Sequence, residues 1–138
     1  MRASIQGERL LTRLDAIRLR ELVAEGFLPD IADLLNEADV LHPREIPPDV
    51  VTMDAQFVIL DLKTKRRRTL VLCHPADAEP SKGHISVLSP VGMALLGQRV
   101  GAKASWLTPD GEQHFAEVEN ILLQPTDLGA PVKSTRTP

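Results

Sequence analysis

The feature that most constrains this chain is a change of hydrophobic period across one short stretch. The stretch is "HPREIPPD", residues 42–49, with three prolines in eight positions. Proline lacks an N–H and fixes φ, so such a stretch can neither continue a helix nor sit inside a sheet. Before it, apolar residues recur at helical spacing; after it, they alternate or run in β-branched blocks. The chain is therefore expected to hold a helical part at 1–41, a linker at 42–49, a β-rich domain at 50–125 and a flexible tail at 126–138. Charge divides at the same place. Residues 1–40 carry five Lys and Arg against eight Asp and Glu, whereas residues 41–138 carry eleven of each.

The helical part reads as two segments. Residues 8–25, "ERLLTRLDAIRLRELVAE", place Leu10, Leu14 and Ile17 on one stripe, flanked by Leu11, Arg18 and Leu22. Gly26 stops this helix and Pro29 opens the next, "PDIADLLNEAD" at 29–39, whose stripe is Ile31, Leu34, Leu35 and Ala38. Two such helices predict a short, antiparallel, coiled-coil-like hairpin.

Beyond the linker, strands are predicted in "VVTMDAQFVILDLK" (50–63), "RRTLVLCH" (67–74), "HISVLS" (84–89), "AKASWL" (102–107) and "EQHFAEVENILLQ" (112–124). In the second of these, either Leu70 and Leu72 or Val71 and Cys73 face inward. "TPDG" at 108–111 is a turn, because Pro presets φ, Asp bonds locally and Gly accepts φ > 0. Between the third and fourth strands, Ser89 caps a short helix, Pro90 fills its first position and Gly97 ends it. Helices first and strands after predict an α+β fold with an antiparallel sheet, one face covered by that one short helix.

Composition narrows function. Hydrophobic residues make up 43% of 138, but aromatics only 3%, with no Tyr. The core must be aliphatic, and base stacking on aromatic platforms is disfavoured. A net charge of −3 argues against a generic nucleic-acid binder. The single Cys excludes an intramolecular disulfide framework. No apolar leader or membrane-length run occurs, so a cytoplasmic protein is expected.

The stretches "IPPDVVTM" (46–53) and "SVLSPVGMALLGQRVG" (86–101) resemble the C-terminal domain of the GreA/GreB transcript-cleavage factors. The similarity runs over about residues 30–125 and is closer to the Rnk-type branch, named for regulating nucleoside diphosphate kinase, whose N-terminal hairpin is shortened. The resemblance implies an FKBP-like C-terminal domain and bacterial RNA polymerase as partner. Docking would be near the polymerase's secondary channel, in competition with other channel-binding factors. Nucleic acid would be met only through the polymerase complex, and the protein is expected to be a monomer. In the cleavage factors, two acids spaced D-x-x-E complete a magnesium site of the polymerase. The nearest counterparts here are Asp30 and Asp33, with Asp in place of Glu. Acids in a first helical turn also complement the helix dipole, which is their plainer role. A helix of about 18 residues reaches only ~27 Å, so no stimulation of cleavage is expected. In the family, the loop around Ser-Pro faces the polymerase's rim coiled coil. The implied contacts here are Leu88, Ser89, Pro90 and Met93, with Leu88 where a polar or acidic residue is common.

Other constellations give less. One Cys and four His, at 42, 74, 84 and 114, offer no zinc spacing; Cys73 reads as a small buried apolar residue. Gly92 and Gly97 mimic a phosphate loop, but Gln98-Arg99 stands where Lys-Ser/Thr is needed. No catalytic residue, metal or cofactor is expected. The basic run Lys63, Lys65, Arg66, Arg67 and Arg68 reads either as a solvated strand edge that blocks aggregation or as an electrostatic contact to polymerase or RNA. Two alternatives to a polymerase-binding regulator are a peptidyl-prolyl isomerase, from the FKBP-like fold, and a direct regulator of nucleoside diphosphate kinase. The first needs an aromatic-walled pocket, and the aromatic inventory is Phe27, Phe57, Trp106 and Phe115.

Overall fold

The computed structural model describes residues 9–26 and 29–125, with Pro29 and Asp30 as backbone alone. The expected tail at 126–138, residue 8 of the expected first helix and Phe27 lie outside the described residues. The chain runs β1 (Leu10–Thr12), α1 (Arg13–Ala24), α2 (Pro29–Glu37), β2 (Asp39–Leu41), β3 (Gln56–Asp61), β4 (Arg67–Cys73), β5 (His84–Ser86), α3 (Pro90–Leu95), β6 (Lys103–Leu107) and β7 (Gln113–Leu123). The class is α+β. The larger sheet has strand order β5-β4-β3-β7-β6.

Two local turns set that sheet. Between β3 and β4, the Asp61 carboxylate accepts hydrogen bonds from the amides of Lys63 and Thr64 at 2.8 and 2.9 Å. Lys65 sits there at φ 65°, in the left-handed region. Between β6 and β7, Gly111 takes φ 87° and Asp110 accepts from the Glu112 amide at 3.2 Å. Both hairpins are antiparallel, and β7 pairs antiparallel with β3 through two register shifts. Leu70 and Leu72 face the core, which settles the choice left open on β4.

Four expectations need correction. The sheet is mixed: β5 pairs parallel to β4, with Val71, Leu72 and Cys73 opposite His84, Ile85 and Ser86. The connection is too irregular for a helix and uses two 3-10 turns, Pro75–Asp77 and Pro80–Lys82. The strand predicted at 50–63 begins only at Gln56, because Val50 and Val51 are spent on the segment after α3. Val50 bridges Arg99, and the Val51 amide donates to the Gln98 carbonyl at 2.9 Å.

The third correction concerns the first helix. Residues Leu10–Thr12 are a strand, parallel to Asp39–Leu41, and α1 starts only at Arg13. Thr12 stops the strand and caps the helix, its hydroxyl accepting from the Asp15 amide at 3.0 Å. The buried face is also not the predicted one. Leu14 and Ile17 are 51% and 45% exposed, while Asp15, Ala16, Leu19 and Leu22 are buried. The spacing 15, 19, 22 is as helical as 10, 14, 17, but an acid occupies its first place.

Fourth, α3 is not the sole cover of the sheet. Leu19 and Leu22 of α1 and Ile31 and Leu34 of α2 join Phe57, Ile59, Leu70, Leu72, Leu95 and Val118 in one hydrophobic cluster. Each such burial contributes about 1.5–3 kcal/mol. The two helices therefore pack on each other and also join the common core. Of the Pro-rich stretch, Pro43–Glu45 forms a 3-10 turn capped by His42. The Gln124 amide then donates to the Pro47 and Val50 carbonyls at 2.8 and 2.9 Å, tying the stretch to the end of β7.

Candidate docking groove

The loop between β5 and α3 is stapled at four points. The Ser86 hydroxyl accepts from the Leu88 amide at 2.9 Å, and the Ser89 amide donates to the Ser86 carbonyl at 3.0 Å. The Ser89 hydroxyl donates to that same carbonyl at 2.7 Å and accepts from the Gly92 amide at 3.1 Å. Ser89 is thus the N-cap and Pro90 the first helical residue, as the sequence indicates. Gly92 has a second reason to be glycine. A Cβ there would lie 2.3 Å from the Ser86 carbonyl oxygen and 2.9 Å from the Val87 Cα, both backbone atoms. The helix therefore sits directly on the strand that precedes it, with Leu95 and Leu96 fully buried. Gly97, at φ 84°, turns the chain out of the helix after the cap residue Leu96.

The other end of α3 is held by the N-terminal unit. The Arg9 guanidinium donates to the Met93 and Leu96 carbonyls at 2.8 and 3.1 Å. A cation on C-terminal carbonyls is electrostatically favourable. Burial pushes the Arg9 pKa below its ordinary value, with Glu37 acting against that shift. The Leu10 amide donates to the Gly97 carbonyl at 3.0 Å, just beyond.

Between these elements runs a groove of ≈ 470 Å³. The Ser-Pro loop and α3 supply Leu88, Pro90, Met93 and Ala94; α2 supplies Asp33, Leu34 and Glu37. Strand β6 supplies Ser105, Trp106 and Leu107, and Arg9 closes the remaining side. Trp106 is fixed by stacking on His114, ring centroids 5.8 Å apart and planes 8° from parallel. Leu107 is 58% exposed.

The structure thus brings together Leu88, Pro90, Met93 and Asp33, which the sequence placed in two separate sites. Ser89 adjoins them as the cap that fixes the loop. The Asp30 side chain lies outside the described residues. Arg9, Glu37, Trp106 and Leu107 were missed. Glu37 was findable, since it stands at i+4 from Asp33 on the same helix face. Arg9 carried no local signal, because its acceptors lie more than 80 positions away.

The basic run stands apart from the groove. Lys63, Lys65, Arg66, Arg67 and Arg68 are exposed on the β3–β4 turn and the start of β4. Arg67 makes a two-pronged pair with Glu119, at 2.7 and 3.0 Å, and Lys63 lies 3.9 Å from Glu112. Among the described residues, β5 pairs only with Val71–Cys73, and Arg67–Thr69 has no strand partner on that side. This fits the reading of a charged strand edge. Cys73 is buried, and burial first, then Asp54 and Asp77, raises its thiol pKa. Among the described residues, no group of three or more His, Cys, Asp or Glu could hold a metal ion.

The mixed sheet thus carries a partly apolar groove built around the stapled Ser-Pro loop. Residues 46–122 match the family described as "Transcription elongation factor, GreA/GreB, C-term". The chain is 39% identical over 127 residues to the regulator of nucleoside diphosphate kinase of Escherichia coli K12, covering 87% of this chain and 93% of that one. It is 35% identical over 113 residues to transcription elongation factor GreA of Chlorobium phaeovibrioides, covering 80% of this chain and 69% of that one. A solved GreA/GreB factor from Nitrosomonas europaea superposes with a TM-score of 0.69 at 34% identity, covering 83% of this chain and 97% of that one. The protein belongs to the GreA/GreB family. No helix among the described residues is long and apolar enough to cross a membrane.

Proposed function

We propose that this protein is a non-enzymatic regulator of bacterial RNA polymerase. It docks through the groove at the rim of the secondary channel, competes there with other channel-binding factors, and does not stimulate transcript cleavage. The observation that carries the reading is the stapled Ser-Pro loop presenting Leu88, Pro90 and Met93 at an open groove, in a chain of this family. A preformed contact loop loses little entropy on binding. Such a protein works as a monomer in the cytoplasm and meets nucleic acid only through the polymerase.

The absence of cleavage stimulation is supported by helix length and by where α2 lies. With 12 and 9 residues, α1 and α2 extend about 18 and 14 Å. Asp33 lines the groove beside Leu88 instead of crowning a long finger. Completing a polymerase magnesium site would require carboxylates at about 2–2.1 Å from the ion. An isomerase is less well supported, since among the described residues Trp106 is the one aromatic lining the groove.

The test is retention of purified core polymerase on the immobilised protein, with and without competing GreA. Leu88→Gln removes apolar surface without changing charge. It is expected to weaken binding about tenfold, whereas Lys65→Ala, far from the groove, leaves it unchanged. Normal retention by Leu88→Gln would refute this docking face. In a backtracked elongation complex, wild type and the double variant Asp30→Ala, Asp33→Ala should both leave the RNA uncut. Cleavage by wild type that vanishes in the double variant would make the short helices a working finger.

A second reading comes from the name of the Escherichia coli relative, a regulator of nucleoside diphosphate kinase. Direct action would appear as retention of the purified kinase on the same support.

A further inference from the structure

The groove has two chemically unlike sides. One is apolar, made by Leu88, Pro90, Met93 and Trp106, and the other carries the carboxylates of Asp33 and Glu37 on α2. Asp33 and Glu37 are both exposed and stand four residues apart, so they project from one face of that helix. Among the described residues, Arg9 is the one cation lining the groove; its guanidinium donates to the Met93 and Leu96 carbonyls, and the Glu37 carboxylate acts on its charge. Two carboxylates thus face one guanidinium, whose charge the neutral carbonyls do not cancel, and the rest of the described lining is apolar apart from Ser105 and the Trp106 N–H, so the described lining is net negative.

We infer that the acidic wall of α2 is a specificity element of the groove, selecting a partner segment that sets Lys or Arg beside apolar residues. This rests on the docking reading above and adds to it the chemistry of the partner. It gives the N-terminal unit a role that needs no reach: α2 forms one wall of the site, and Arg9 holds the end of the helix that forms the other. Carboxylates at an open rim act chiefly on encounter rate and on the choice of partner, through a field that salt screens. A segment with acids at the matching positions would meet like charge across the groove and be rejected.

The experiment measures binding of purified core polymerase at low and at high salt. The full-length variants are Asp33→Lys with Glu37→Lys, Asp33→Asn with Glu37→Gln, and Glu21→Lys with Glu25→Lys. The last pair changes net charge equally on α1 and its cap, at exposed residues that do not line the groove. At low salt, the first pair is expected to weaken binding at least tenfold and the neutral pair by a smaller factor. The α1 pair should leave binding within about twofold, and the differences should shrink at high salt. Thermal melting of each variant verifies that it is folded. Unchanged binding by the reversed pair, with Leu88→Gln still impaired, would overturn the acidic wall and leave the docking face standing. Equal losses in the α1 pair and the groove pair would also overturn it, by tracing the effect to overall charge. Normal binding by Leu88→Gln would refute the docking face itself.

Discussion

The five-stranded sheet and the N-terminal β1-α1-α2-β2 unit are held together by different kinds of contact. The sheet's two hairpins close over turns that its own residues dictate: Asp61 capping Lys63 and Thr64, and Thr108 with Asp110 ahead of Gly111. Within the N-terminal unit, the described residues form a three-residue parallel pair of strands, whose partners lie 29 positions apart, and α1 packs on α2. Its remaining support comes from the rest of the chain. Arg9 and Leu10 bond to residues 93–97, Asp15 accepts from the Met53 amide at 3.0 Å, and Arg18 pairs with Asp54 at 3.1 Å. A region built on local chemistry carries its instructions within itself, whereas one built on distant partners is specified by them.

The largest test of that contrast is separation. Residues 46–125 are expected to fold cooperatively without the N-terminal unit. They should do so with a melting midpoint lower by about 10–20 °C, since a domain of this size shifts about 4–8 °C per kcal/mol. The cost arises because Leu11, Leu19, Leu22, Ile31 and Leu34 leave the shared cluster. Calorimetry of the fragment would decide. A midpoint equal to that of the whole chain would mean the shared packing adds nothing, and no cooperative transition would mean the chain is one folding unit.

The same contrast explains what could be read in the sequence. The Ser89 cap, Pro90, the turn at Pro109-Asp110-Gly111 and the alternation around Leu70 and Leu72 are short-range signals, and each sits where the sequence indicates. The parallel pairing of β5 was not legible, because nothing in "PADAEPSKG" distinguishes a crossover from a hairpin loop. The start of α1 was misread because Leu10, Leu11 and Thr12 suit helix and strand alike, and the partner that decides is β2. Half of the candidate site was legible. The loop bearing Leu88, Pro90 and Met93 announced itself, but its opposite wall depends on how α2 packs.

Asp15 gives the next test, of intermediate size. It is 4% exposed at the seam between the regions, and burial raises its pKa to about 6, against the Met53 and Thr12 hydrogen bonds and Arg18. Asp54 adds to the rise. An acid whose folded pKa exceeds its unfolded value binds more protons when folded. Stability tied to it is thus fully present below about pH 4 and is lost as pH rises through about 6. The span is on the order of 2–3 kcal/mol. Asn keeps an acceptor for the Met53 amide without the charge. Asp15→Asn should therefore raise stability at pH 8 by about 1–2 kcal/mol and flatten the slope between pH 4 and 7. Urea unfolding at several pH values measures both. A variant less stable than wild type at pH 8 would show that the carboxylate is needed as an ion, held by the Met53 amide and the nearby charge of Arg18.

The smallest effect tests which face of α1 matters. By sequence, Leu14 and Ile17 are core residues; in the structure they are about half exposed, while Leu19 is fully buried. Truncation of a half-exposed leucine leaves no cavity, and Ala is a slightly better helix former. Leu14→Ala and Ile17→Ala should each change stability by no more than about 0.5 kcal/mol. Leu19→Ala empties a site in the shared cluster and should cost about 3 kcal/mol. The comparison is made within one helix, so propensity cancels and burial remains. If Leu14→Ala cost as much as Leu19→Ala, the helix would present the face that the apolar pattern alone suggested. Asp15 would then be exposed, and its pH dependence would vanish with it.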